Sequence, residues 1–200
     1  HQAVSFRPEH ISCYQLSLGE KTPLYMKYSL NKWHLPDENT ELKLFLSTSD
    51  ELIHAGYIHY EVSNFALKEK FKSRHNRKYW QHVPYLGLGA SAHSFLNNKR
   101  WWNKSAVKTY LKKITSGEMP LEDMETLSAG QLQLEALFLG LRTADGINLQ
   151  YYKTRYGIDL LADKKSIIDT LMKNKLVEIT NGFLRPTTAG MAVADSLAMI

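Results

Sequence analysis

Cysteine is nearly absent: Cys13 is the single thiol in 200 residues. That excludes an internal disulfide framework and any metal or iron–sulfur site built only from thiolates of this chain, and it fits a reducing, cytoplasmic setting. Long apolar runs are missing as well; none approaches the roughly 20 residues that a membrane-spanning helix needs. Internal repeats and low-complexity tracts are absent. The glycines of YLGLGASAHSF have the spacing of neither a P-loop nor a dinucleotide fingerprint, so a phosphate cradle has little support. Charge of one sign is only mildly in excess. Lys plus Arg outnumber Asp plus Glu by 25 to 20, and the sequence pI is near 9.1, which describes a solvated basic surface before it describes an anion-binding face.

What remains is the composition of a globular protein, 44% hydrophobic and 22% charged. A chain of this size hides roughly 70% of its unfolded surface, enough for one large domain or two modest ones. It opens on His1 rather than Met and reaches the strand-like run HISCYQL within ten positions. The expectation is therefore a piece of a longer protein.

The chemically densest stretch is HNRKYW, His75 to Trp80. It sets an imidazole one helical turn, or two strand pleats, from a phenol and beside an indole. Imidazole binds iron, and aromatic rings stack on flat macrocycles, so the run suits a planar metal-containing ligand such as haem. A hydrogen-bonded structural histidine is the competing reading.

Alternation predicts a strand over His10 to Leu16, then a loop with Pro23 and Pro36. Asp37 is placed to cap a helix whose stripe is Leu42, Phe45, Leu46, Leu52 and Ile53 and whose stop is Gly56. YIHYEVSNF then alternates as one strand, with Ile58, Tyr60 and Val62 on one face and His59, Glu61 and Ser63 on the other. Strand, helix, strand at this spacing predicts a right-handed βαβ unit with two parallel strands. The small residues Gly87 to Ala92 predict close backbone packing, followed by His93 as a buried, hydrogen-bonded residue or a ligand. Trp101 and Trp102 read as core or interdomain bulk and lead to a helix capped by Ser105 and ended by Gly117. Residues 118–126 show no pattern and read as a linker.

The last seventy residues have a different organisation. Ser128 begins a helix with Leu134, Leu137, Phe138 and Leu141. Gly146 breaks the chain, Asn148 caps a short helix, and Ile167, Ile168, Leu171 and Met172 mark a third. LVEIT, Asn181-Gly182 and FLRP predict a tight hairpin, and Thr187 or Thr188 caps a closing helix. This is a winged-helix-like order. Lys164, Lys165, Lys173, Lys175 and Arg185 are interleaved with Asp159, Asp163, Asp169 and Glu178, so no clean basic face for nucleic acid forms.

Taken together and in order, HISCYQL, EKTPLY, LPDE, AGYIHYEVSNFA, SRHNRKYW, YLGLGASAHSF, RWWN, GLRTADGIN and LRPTTAG resemble a known family. It is that of the radical S-adenosylmethionine proteins related to oxygen-independent coproporphyrinogen III oxidase, in their C-terminal half. More narrowly, the chain is similar to the branch regarded as haem chaperones. Val62 and Phe65 in EVSNF and Ser91 in GASAHS are mild departures.

The resemblance implies an α/β fold: C-terminal strands and helices of a partial (β/α) barrel over 1–117, a linker over 118–126, and a winged-helix-like α+β domain over 127–200. It implies that His75 ligates haem iron, with Asn76, Tyr79 and Trp80 around it and Asn76 orienting the ring. His10, Tyr14, Glu61, Ser63 and His93 are secondary pocket candidates. The parent protein would carry a 4Fe–4S cluster and S-adenosylmethionine, and would bind haem. This chain, lacking the family's CxxxCxxC loop, would be left with haem alone and would be inactive as a radical enzyme. Its implied partners are haem, the missing N-terminal half and a haem-receiving client. Oxidative decarboxylation of a porphyrinogen is the alternative activity.

Overall fold

The computed structural model describes residues 2–197. Its elements, in chain order, are α1 (Gln2–Ser5), β1 (His10–Ser12), α2 (Pro23–Ser29), α3 (Glu38–His54), β2 (Ile58–Glu61), β3 (Asn64–Ala66) and α4 (Arg74–Trp80). There follow β4 (His93–Leu96), β5 (Lys99–Asn103), α5 (Val107–Thr115) and β6 (Leu121–Thr126). The C-terminal region contains α6 (Ala129–Gly140), β7 (Ile147–Asn148), α7 (Leu149–Tyr156), α8 (Leu160–Asp163), α9 (Lys165–Lys173), β8 (Val177–Thr180), β9 (Phe183–Pro186), α10 (Thr188–Ala192) and α11 (Ala194–Leu197). The fold is mixed α/β. Among the described residues the strands form three antiparallel sheets, ordered β1-β3-β2, β4-β5-β6 and β7-β9-β8.

Local rules build the helices as expected. The Thr40 N–H donates to Asp37 Oδ1 at 2.8 Å, closing the N-terminus of α3, and Gly56, at φ +90°, follows its end. Ser128 and Gln131 form a reciprocal capping box on α6. The Tyr151 N–H donates to Asn148 Oδ1, and the Gly190 N–H donates to Thr187 Oγ1. Asn181 and Gly182 both have positive φ, 53° and 78°, as a two-residue turn between β8 and β9 requires.

The first sheet departs from the βαβ expectation. The run YIHYEVSNF is two strands, because the chain turns at Val62-Ser63 and β3 folds back between β1 and β2, antiparallel to both. β1 and β2 therefore run in the same sense without being paired. The turn is held from outside. The Val62 N–H donates to the Arg142 carbonyl at 3.0 Å, and the Ala144 N–H donates to the Tyr60 carbonyl at 3.0 Å. The free edge of β2 is thus closed by the segment after α6.

Three further expectations are corrected. The first strand ends at Ser12 instead of Leu16. α5 starts at Val107 with Ala106 at its N-cap and no side-chain cap, which leaves Ser105 one position too early to reach the first-turn amides. Residues 121–126, read within a linker, are strand β6. Polar on its face, β6 is matched by charge across the sheet: Arg100 pairs with Glu125 at 3.3 Å and Lys104 with Glu122 at 3.1 Å.

The main core lies in the C-terminal region, where Leu137, Leu141, Ile147, Tyr152, Leu160, Ile168, Val177, Leu184 and Leu197 pack into one cluster. Gly190 is required there, because a Cβ would meet the Leu176 carbonyl oxygen at 1.9 Å. Gly87 plays the close-packing role expected of its small-residue run: a Cβ would fall 2.0 Å from the His93 carbonyl oxygen.

Candidate functional site

The HNRKYW run is helical. Its N-terminus is set by Ser73, whose Oγ accepts from the Asn76 N–H at 3.2 Å. The Ser73 N–H in turn donates to the Tyr60 hydroxyl at 3.1 Å, and that hydroxyl contacts His10 Nε2 at 2.8 Å. With its oxygen accepting from Ser73, the Tyr60 O–H is free to donate to His10, consistent with burial holding the His10 pKa below its ordinary value. His10 is therefore a positioning residue that links β1 to the start of α4.

Helical spacing divides the motif between two faces. His75 and Tyr79, at i and i+4, meet edge-on with ring centroids 4.9 Å apart, and Tyr79 continues onto Tyr85 at 4.7 Å. His75 is exposed, and among the described residues neither of its ring nitrogens makes a hydrogen bond or ion pair. Asn76 does not orient the ring as expected. It lies with Trp80, also at i and i+4, on the other face, where both line a cavity of about 980 Å³.

That cavity sits between the first sheet, α3, α4 and the C-terminal helices, and Tyr14, Glu61 and Ser63 line it too. Glu61 is its electrostatic centre and is 1% exposed. Burial raises its pKa. The Asn64 side chain, the Ser63 N–H and the Arg142 charge oppose that rise by favouring the carboxylate. The Ser63 N–H donates to Glu61 Oε1 at 3.3 Å, and Ser12 donates to Asn64 Oδ1, so the network reaches back to β1. The Trp80 N–H itself is buried with no acceptor in hydrogen-bonding geometry. Arg142 covers the ring of Phe138 at 4.0 Å and pairs with Asp195 at the cavity wall.

His93 lies apart from this site. It is exposed and stacks on Trp102 at 5.5 Å, at the first position of β4, where the two central residues Ser94 and Phe95 are the buried ones. His59 is the buried imidazole of the region. Its Nδ1 contacts the Ser49 hydroxyl at 2.9 Å and its ring stacks on Phe65 at 4.1 Å, a packed structural role. Arg142 and Asn64 are site residues that residue patterning does not single out, although both lie inside the family-like blocks GLRTADGIN and EVSNFA.

Comparison with known proteins bears on what this arrangement serves. Residues 127–193 match the model of the HemN C-terminal domain. The chain is 33% identical over 188 residues to the Heme chaperone HemW of Lactococcus lactis, covering 94% of this chain and 49% of that protein. It is 29% identical over 195 residues to the Heme chaperone HemW of Bacillus subtilis, covering 98% and 51%. Over nearly its whole length the chain is similar to the C-terminal half of HemW/HemN-like radical S-adenosylmethionine proteins. It spans about half the length of the curated relatives it matches. The HemW/HemN-like fold is matched in the solved coproporphyrinogen III oxidase HemN of Escherichia coli, with a TM-score of 0.70, 16% identity, and coverage of 99% of this chain and 49% of that one. The family blocks now have physical content: EVSNFA makes the β2–β3 turn, SRHNRKYW makes α4, and GLRTADGIN supplies both the carbonyl that holds the turn and the Arg142 facing Glu61.

With one cysteine, the residues present do not fit an iron–sulfur cluster, and no radical step is assigned to this chain. No described helix is long and apolar enough to cross a membrane.

Proposed function

We propose that this chain is the haem-handling C-terminal portion of a HemW-type carrier, which binds haem and passes it to a client in a reducing, cytoplasmic setting. In this reading the missing N-terminal half supplies the cluster and S-adenosylmethionine. Haem enters as cargo. The observation that carries the reading is the exposed His75 imidazole, free at both nitrogens and flanked edge-on by Tyr79. A histidine that is already solvated and unpartnered can take an axial position on iron without first breaking a protein contact. Asn76 and Trp80 then act through the other face of α4, where they help line the wall that fixes the helix.

Titration of hemin into the chain tests the assignment. A Soret band is expected that shifts and weakens with His75→Ala, while Tyr79→Phe, which keeps the ring, retains it. A spectrum unchanged by His75→Ala removes His75 as the ligand. The fold shared with coproporphyrinogen III oxidase supports a second reading, oxidative decarboxylation of a porphyrinogen by the full-length parent. Anaerobic turnover of coproporphyrinogen by that parent would favour it over the carrier.

A further inference from the structure

A second cavity, of about 680 Å³, is lined by the end of α4 and by the C-terminal elements α6, α7 and β9. Trp80 is the described residue common to both cavities. Aromatic rings form part of its walls, with Tyr60, Phe95, Tyr152 and Phe183 among them. Its charged groups are mostly guanidinium: Arg77, Arg155 and Arg185.

The acids nearby are already engaged. Asp145 faces Arg77 at 3.7 Å, and Glu135 accepts from Arg100 at 2.7 Å with His82 Nε2 at 3.1 Å from the same oxygen. Arg185 is different. Its Nε is buried and without a hydrogen-bond partner, and its described contact is the face of Phe183 at 5.1 Å. Its cross-strand neighbour Glu178 makes no ion pair with it among the described residues. Arg155 is likewise free of any ion pair among the described residues, and its guanidinium lies 6.0 Å from the Tyr156 ring.

A half-buried guanidinium with an unmet donor is costly until an anion meets it, and its fork matches a carboxylate in two parallel hydrogen bonds. The cavity volume falls within the roughly 300–1,000 Å³ of small-molecule sites. We propose that this cavity is a binding site for an aromatic carboxylate, with the ring between the tyrosine and phenylalanine walls and the carboxylate on Arg185, assisted by Arg155. The site is separate from His75, and the proposal stands whether or not that residue binds haem.

Naphthalene-2-carboxylate and its neutral analogue naphthalene-2-methanol, titrated calorimetrically into the chain, test this. The carboxylate should bind at least tenfold tighter than the alcohol. Arg185→Met should weaken it at least tenfold, Arg155→Gln severalfold, and His75→Ala not at all. If circular dichroism shows Arg185→Met to be unfolded, Arg155→Gln and the carboxylate-to-alcohol ratio decide the question. Equal affinity for the two probes, no carboxylate binding up to millimolar concentration, indifference to the folded arginine variants, or sensitivity to His75→Ala would each overturn the assignment.

Discussion

The two regions of this molecule bury different chemistry. Residues 127–197 enclose one apolar cluster, with Leu141 and Leu184 fully inaccessible. The region before it holds a smaller apolar cluster around Leu52, Tyr57 and Phe65. It also contains the described polar residues that are buried as whole residues: Ser49, His59, Glu61, Asn64, Ser94 and Asn103. Apolar burial stabilises without direction, whereas buried polar groups must be satisfied by particular partners at particular angles. The C-terminal region is therefore a support. The N-terminal region is a specified constellation that leans on it through the strand edge at Val62 and Tyr60.

The largest effect that would break this comparison comes from cavity formation. Leu141→Ala should destabilise the chain by about 2–5 kcal/mol in urea denaturation. Leu16→Ala, at a position 57% exposed in the N-terminal region, should stay within about 0.5 kcal/mol. Comparable losses at the two positions would mean that Leu16 is packed against the first region's apolar cluster instead of lying exposed.

Helix caps sharpen the comparison at a smaller scale. Asn148→Ala removes the acceptor for the Tyr151 N–H and should cost about 1 kcal/mol. α5 lacks a side-chain cap at Ala106, so Ala106→Asp should gain a similar amount, about 1 kcal/mol. Thermal melts of the two variants should move in opposite directions.

The caps also show why one half of the molecule is readable from its residues. Asp37, Ser128, Asn148 and Thr187, and the Asn181-Gly182 turn, act within three residues of themselves, so the sequence alone specifies them. The order of helices and hairpin after residue 127 rests on such local signals. The turn at Val62-Ser63 does not, because the groups that hold it belong to residues 142–144, eighty positions later. β6 is hidden for the same reason: its charged residues read as loop until Arg100 and Lys104 lie opposite. At the site, residue types are legible and faces are not. HNRKYW presents four chemically distinctive side chains together, but only the helical conformation separates His75 and Tyr79 from Asn76 and Trp80. His93 misleads because burial in β4 is confined to its two central residues, Ser94 and Phe95, which alternation along the sequence does not show.

The smallest expected effect tests the polar half of the comparison directly. Burial raises the Glu61 pKa despite Arg142, Asn64 and Ser63, so the folded chain holds that proton at pH values where the unfolded chain has released it. Between the ordinary carboxylate value and the raised one, the unfolded state binds fewer protons, and stability falls as pH rises. His59 acts in the opposite sense. Burial lowers its pKa, so its contribution is lost as pH falls from the ordinary imidazole value towards the lowered one. Glu61→Gln removes the first slope and leaves the second. The variant should match the unmodified chain near pH 4, where the carboxyl and the amide are both neutral, and exceed its stability near pH 8, as read from urea midpoints. A variant less stable at pH 8 would mean that the charged carboxylate, held by Arg142, is a net stabiliser, and that the cavity is organised around an ion pair instead of a strained acid.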